Sequence, residues 1–393
     1  MKPASKSCAK EDEKEIACKS NNDSSFHMKI LYDNQIFSLQ NFGGISRYFY
    51  ELIRTLPKEI NYDLPIMFSN NHYIRNKDIT FFRTFFPDLK FQGKTTLIKF
   101  FNHHIQKRYF KSDFDIFHPT YYNPYFLDFI GSKPFVLNIH DMTHEIYSLK
   151  TNKDDWSIKG KKILAEKANQ IIAVSENTKK DVVDRLHINP DKIKVIYHGC
   201  SLTPSREKTI NLPKRFLLFV GERSGYKNFA NLAKAFSIIC KSDSELKLIV
   251  TGKPFFQDEL KLLSSLGIEK STFHFMVNDE DFLSQLYSAT LSFIFPSMYE
   301  GFGLPILEAF ACGCPVILSN SSCFPEVAGN AGEYFNPVDI DSIVESIKHV
   351  IYDDSYRNKL INLGKKQAGL FSWEKSAAQT LQLYHSILEQ ESK

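Results

Sequence analysis

Downstream of residue 27 the chain alternates short apolar runs with longer stretches in which apolar positions recur every third or fourth residue. The runs at 30–32, 135–139, 170–174, 216–220, 246–251, 273–277, 291–295 and 316–318 are too short for helices and apolar on both faces. That pattern predicts strands of buried parallel sheets. A further strand is read at 115–119. Between the runs, 46–56, 161–168 and 176–185 carry helical spacing, the last with Ser175 as N-cap. Alternation of strand and helix predicts an α/β chain. A polar segment with two prolines at 201–213 interrupts the alternation and reads as a linker. The expected organisation is a disordered polar tail at 1–27, domains at 28–205 and 206–371, and a closing helix at 372–393. In that helix Ala377, Leu381, Tyr384 and Leu388 share one face.

The most informative stretch follows the strand at 291–295. It reads Pro-Ser-Met-Tyr-Glu-Gly-Phe-Gly-Leu-Pro-Ile-Leu-Glu from Pro296 to Glu308. Gly301 and Gly303 make a loop whose backbone can approach a ligand closely. Pro305 suits a first helical turn, and Ile306, Leu307 and Phe310 give that helix an apolar face. Glu300 and Glu308 therefore face the crevice at a strand's carboxyl end, where open α/β sheets bind ligands, beside free helix amides. Two other loops have the same setting. The strand at 216–220 leads to Arg223 and Lys227, a fork and a mobile point charge that suit a diphosphate. The first strand leads to Gly43 and Gly44 before a helix, a place for a phosphate or for a tight turn. The strand at 135–139 ends in His140.

Glu300 and Glu308, with seven residues between them and framed by Tyr-Glu-Gly-Phe-Gly-Leu-Pro, resemble the Glu-x7-Glu motif of retaining glycosyltransferases of family 4. The resemblance implies the GT-B fold: two Rossmann-like domains facing across a deep cleft, with the C-terminal helix crossing back to the first. It implies a nucleotide-diphosphate sugar as donor, no metal cofactor, and a saccharide or lipid-linked saccharide acceptor. By the same resemblance Glu308 would hold the ribose, while Glu300 would hold sugar hydroxyls or stabilise developing positive charge. Gly301 and the amides near Phe302, Gly303 and Leu304 would orient the sugar. Arg223 and Lys227 would bind the diphosphate, Gly43 and Gly44 would lie near it, and His140 would meet the sugar from the opposite domain. The version of the glycine loop ending in Ile45-Ser46-Arg47 is similar to those of bacterial polysaccharide enzymes, often mannosyltransferases. A sugar-nucleotide epimerase and a non-catalytic nucleotide-sugar-binding protein are the alternatives.

Composition adds bounds. A formal net charge of +4 over 393 residues does not argue for nucleic acid. Seven cysteines without paired spacing suggest a reducing compartment, and Cys312 and Cys314 read as core thiols. No secretory signal or membrane-spanning stretch is expected, which points to a cytoplasmic protein. The basic and aromatic segment 97–111 supports two readings, a peripheral contact with an anionic membrane or a solvated helix with its aromatic side in the core. Asp113-Phe114-Asp115 matches a metal-holding pattern but opens a strand, and Asp279-Glu280-Asp281 reads as an acidic helix start, so neither is assigned to metal.

Overall fold

The computed structural model describes residues 28–85, 89, 91–147, 155–205, 211–223, 225–277 and 279–391. The tail at 1–27, the middle of the linker (206–210) and Ser224 lie outside the described residues.

In the first unit the strands are β1 (Lys29–Tyr32), β2 (Asn61–Asp63), β3 (Ile116–His118), β4 (Val136–Ile139), β5 (Gln170–Ala173) and β6 (Ile193–Val195). Its helices are α1 (Gln35–Leu39), α2 (Gly44–Arg54), α3 (Lys94–Tyr109), α4 (Thr143–Tyr147), α5 (Trp156–Lys167) and α6 (Glu176–Leu186). Strands β2-β1-β3 and β4-β5-β6 form two parallel three-stranded sheets, joined edge to edge by a parallel bridge between Phe117 and Phe135.

The second unit holds β7 (Phe216–Phe219), β8 (Lys247–Thr251), β9 (Thr272–Phe275), β10 (Ser292–Phe295), β11 (Val316–Ser319) and β12 (Gly332–Phe335). Helices α7 (Phe229–Cys240), α8 (Gln257–Ser265), α9 (Glu280–Ala289), α10 (Leu304–Ala311), α11 (Phe324–Ala328), α12 (Ile340–Tyr352) and α13 (Asp354–Ala368) surround it. Its six-stranded parallel sheet runs β12-β11-β10-β7-β8-β9, so the strand order reverses between β7 and β10. The inner strands β1, β3, β4, β5, β7, β8, β10 and β11 are buried on both faces, which is why they read as apolar runs, whereas the outer strands β2, β6, β9 and β12 are partly exposed.

Helix α14 (Trp373–Glu391) leaves the second unit and packs on the first. Trp373, Ala377, Leu381, Tyr384 and Ile387 share a core with Ile30, Tyr32, Phe49 and Leu52. The expected face is thus right in position, with Ile387 rather than Leu388 as its last fully buried member. The expected Ser175 cap is present, its hydroxyl accepting from the Thr178 amide at 3.0 Å.

Three local readings change. Helix α1 and strand β12 were not legible as elements. In α3 the buried face is Ile98, Asn102 and Gln106, two of them polar, whereas Phe100 is exposed. Asn102 earns its burial by hydrogen bonding: its Oδ1 accepts the Met67 and Phe68 amides, each at 2.9 Å, and its Nδ2 donates to Ser38 Oγ at 2.7 Å. Among the described residues no helix is long and apolar enough to cross a membrane. The acidic decoys behave structurally: Asp115 accepts the Lys29 amide at 2.7 Å, and Asp279 caps α9 by accepting the Phe282 amide at 2.7 Å. Cys314 is buried, and burial pushes its thiol up.

Candidate active site

Strands β7 and β10 are neighbours, so the turns beyond their carboxyl ends meet. One supplies Lys227 and the other Glu300, and Lys227 Nζ lies 2.6 Å from Glu300 Oε1. The lysine is aimed by the residue after it: Asn228 adopts a left-handed backbone (φ 58°), and its side-chain Nδ2 donates to the Pro337 carbonyl at 2.7 Å. Burial by itself would lower the Lys227 pKa, but the adjacent Glu300 and Tyr226 outweigh it and hold the ammonium charged. Glu300 is fixed from behind by Ser322, whose hydroxyl donates to the Glu300 carbonyl at 2.6 Å. Lys227 and Glu300, read from the sequence as separate groups for diphosphate and sugar, are thus paired with each other at the reversal point of the second sheet.

His140 stands at the end of β4 on the facing unit. Its ring is buried against Tyr48, edge to face at 5.0 Å, and burial pulls its pKa down to about 4. The imidazole is thus neutral at neutral pH, and Nε2 has no hydrogen-bond partner among the described residues. Gly301 is what lets the units meet here. A Cβ on Gly301 would sit 1.7 Å from the His140 carbonyl oxygen, while the Gly301 carbonyl accepts from Ser175 Oγ (2.6 Å) and Thr178 Oγ1 (3.1 Å). The sequence reading gave this glycine to ligand approach; the structure uses it for contact between domains. Gly303 does keep a local role, with φ 86° as the residue preceding α10. Replacing Gly301 with Ala should cost at least the roughly 3 kcal/mol typical of severe overpacking. A denaturant melt of the variant matching that of the parent would show that the two units do not touch at this point.

Glu308 differs from expectation in what it touches. It is 5% exposed and forms a buried ion pair with Arg47, from the first turn of α2, while its Oε2 accepts the Tyr287 hydroxyl at 3.2 Å. Arg47 also reaches Glu280 and Ser201, each at 3.2 Å. Burial opposes the Arg47 charge, and Glu308 and Glu280 more than restore it. The loop of Gly43 and Gly44 thus acts by starting the helix that carries Arg47. Gly44 leaves open space around it, and a Cβ on Gly43 would meet the Gln40 side chain, whose Oε1 accepts the Ser46 amide at 3.2 Å. Arg47 was missed as a site residue because one arginine in a polar loop carries no periodic signal.

Arg223 is also committed elsewhere. Its fork holds Glu259 through Nε (2.8 Å) and Nη2 (3.1 Å), and the carbonyls of Lys253 (2.7 Å) and Pro254 (3.0 Å) take Nη2 as well. The guanidinium lies over Phe255 at 4.9 Å. A strand-end arginine finds a carboxylate one helix away before it finds a ligand, and no sequence spacing announces Glu259. Phe302 is a core side chain packed on Tyr197 and His198, so only its main chain is available to a ligand. Leu304 bridges the cores of both units.

Two family models match consecutive parts of the chain: "Glycosyltransferase Family 4" at residues 42–203 and "Glycosyl transferases group 1" at residues 203–367. O-antigen chain mannosyltransferase B of Escherichia coli is 33% identical over 233 residues, covering 56% of this chain and 61% of that one. The MMP alpha-(1->4)-mannosyltransferase of Mycolicibacterium hassiacum is 27% identical over 233 residues, covering 58% of this chain and 56% of that one. The chain thus spans less than two thirds of the length of these relatives. In fold it is similar to sucrose-phosphate synthase of Thermosynechococcus elongatus, with TM-score 0.74, 19% identity, and 92% and 100% of the two chains covered. Anabaena HepE in complex with UDP and glucose superposes with TM-score 0.72 at 18% identity over 92% and 100%. The two matched regions meet at residue 203 on a double Rossmann-like architecture, and the chain belongs to the family 4, group 1 glycosyltransferases of the GT-B fold.

Proposed function

We propose that this protein is a retaining, metal-independent hexosyltransferase that takes its sugar, with mannose the leading candidate, from a nucleotide-diphosphate donor. The acceptor is a saccharide or a lipid-linked saccharide in surface polysaccharide assembly. The observation that carries the reading is the Lys227–Glu300 pair at 2.6 Å, set across the domain junction from the neutral His140. The names of the mannosyltransferase relatives support the choice of sugar and process.

In this reading the diphosphate lies at the crevice between β7 and β10. Lys227 and the free amides at the start of α10 stabilise the charge that develops on it as it leaves. Arg223 joins them by exchanging Glu259 for a phosphate oxygen. Glu308, anchored by Arg47 and Tyr287, keeps lone pairs for the ribose hydroxyls. Glu300 stabilises positive charge at the anomeric carbon, and His140 Nε2 hydrogen bonds a hydroxyl of the transferred sugar. The bond from the anomeric carbon to the phosphate oxygen breaks, the bond to the acceptor oxygen forms on the same face, and the acceptor proton passes to the leaving phosphate. The test is nucleotide release from a panel of UDP-, GDP- and ADP-sugars with chelator and a mixed acceptor pool. Release from one donor, abolished in Glu300→Ala, is expected; a fully active Glu300→Ala enzyme would overturn the assignment.

A further inference from the structure

The carboxyl end of β4 carries a second polar group beside His140. Asp141 comes next in the chain, and a Cβ placed on Gly301 would stand 3.0 Å from the Asp141 Cβ. Gly301 adjoins Glu300, so one carboxylate of the first unit and one of the second are set close together at the junction. The segment from Asp141 through α4 is docked by two residues of the second unit. The Met142 amide donates to the Tyr299 hydroxyl at 3.2 Å, and Tyr147 stacks on Tyr226 with ring centres 5.4 Å apart. Tyr299 immediately precedes Glu300, and Tyr226 immediately precedes Lys227. The two turns that present the Lys227–Glu300 pair therefore also fix Asp141.

Asp141 also carries a charge that the fold does not consume. Its Oδ1 accepts the Thr143 amide at 2.9 Å, a turn that leads into α4. The buried Lys161 spends its bonds elsewhere, on the Asp141 main-chain carbonyl at 2.8 Å and on Glu145 at 2.9 Å. Among the described residues no Lys, Arg or His forms an ion pair with the Asp141 carboxylate. Burial raises the Asp141 pKa, but the field of Lys161 and the Thr143 bond more than reverse it, so the side chain stays ionised. Across the junction the same carboxylate adds to the field that keeps Lys227 charged. Starting a helix of five residues needs one acceptor oxygen and no charge, and Asn would serve as well. The turn therefore leaves the charge without a structural purpose.

We infer that Asp141 binds the transferred hexose from the first unit, accepting its hydroxyls, and so takes part in deciding which sugar is moved. The inference rests on the functional reading above for the word hexose. A sugar lying between the Lys227–Glu300 pair and His140 meets Asp141 on the His140 side. An ionised carboxylate makes charge-assisted hydrogen bonds and has room for two neighbouring hydroxyls, whose relative direction differs between epimeric hexoses. A site built to bond a hydroxyl rejects a sugar that lacks it or points it elsewhere, because the buried acceptor is then left unpaired.

The test uses the full chain, the donor identified by nucleotide release, and a set of donors that each lack one hydroxyl of the sugar. Asp141→Asn keeps the turn to Thr143 and removes the charge. It is expected to lower kcat/KM for the donor about tenfold to a hundredfold, the worth of a charge-assisted hydrogen bond. Calorimetric affinity for the free nucleoside diphosphate is expected to match that of the parent. The loss disappears with the donor whose missing hydroxyl is the partner of Asp141. That comparison is made among donors on one variant, so a lower melting point does not affect it. Unchanged transfer by Asp141→Asn overturns the inference and leaves Asp141 a turn residue alone. An equal loss with every deoxygenated donor overturns it in favour of a field effect without contact. A parallel loss of nucleoside diphosphate affinity overturns it in favour of a role in holding the two units together. An inactive Glu300→Ala beside a fully active Asp141→Asn leaves the transferase reading standing, whereas two fully active variants overturn both.

Discussion

Replacing Lys227 with Ala lowers the kcat of sugar transfer by roughly 10²–10³, the loss seen when one preorganised electrostatic donor is removed from an active site. The size follows from the setting. Lys227 is the charge at the reversal point of the sheet, its side chain only 19% exposed, and its partner Glu300 only 15%. Removing either leaves the other charge partly buried and unpaired. The Glu300→Gln and Lys227→Ala losses are therefore strongly non-additive, and the double variant is little worse than the more damaged single one. Steady-state nucleotide release with the identified donor measures this, alongside a denaturant melt for each variant to show a folded chain. A Lys227→Ala enzyme within about threefold of the parent kcat sinks the role given to the pair. Additive losses would place the two residues in separate steps.

The second large effect is on stability. His118, His140 and His198 are buried at the junction of β3, β4, α2 and α14, and burial pulls their pKa values down, to about 3 for His118 and about 4 for His140. His198 lies against Trp373 at 5.7 Å, and His118 Nε2 donates to Asn138 Oδ1 at 2.8 Å. A histidine whose folded pKa is depressed binds its proton in the unfolded chain first. Stability is full above the unfolded value of about 6.5 and falls as pH drops from there toward about 4. At pH 5 His118 and His140 each cost about 2 kcal/mol relative to pH 7, His198 adds to the loss in the same direction, and unfolding takes up protons. Urea unfolding at pH 7, 6 and 5, followed by Trp373 fluorescence, reads both quantities. Stability at pH 5 within about 1 kcal/mol of that at pH 7 would mean that these rings are solvated. Because His140 is one of the three, the neutral imidazole that the proposed mechanism calls for and the acid sensitivity of the junction have one cause.

The family, the two-unit α/β organisation and the Glu300 motif were legible along the chain because each depends on local chemistry. Buried parallel strands must be apolar on both faces, and the loop after β10 needs glycines and a helix-starting proline in fixed order. The return of α14 to the first unit was legible only through the resemblance. What escaped is what depends on partners distant in sequence. Strand β12, Gly332–Phe335, is short and half polar, and it becomes a strand because β11 offers it a parallel edge. Gly301 reads as a ligand loop until the His140 carbonyl is seen pressed on it. Glu308 and Arg223 read as open ligand groups, yet each has a tertiary partner, Arg47 and Glu259. A charge taken out of water has to be matched, and the folded chain alone decides by what. The sequence by itself determined the apolar inner strands, the helices between most of them, and which strand ends lead into charged or glycine-rich loops. Only the tertiary structure decided which of those groups face one another, because ion pairs and close backbone contacts are set by how the two sheets meet.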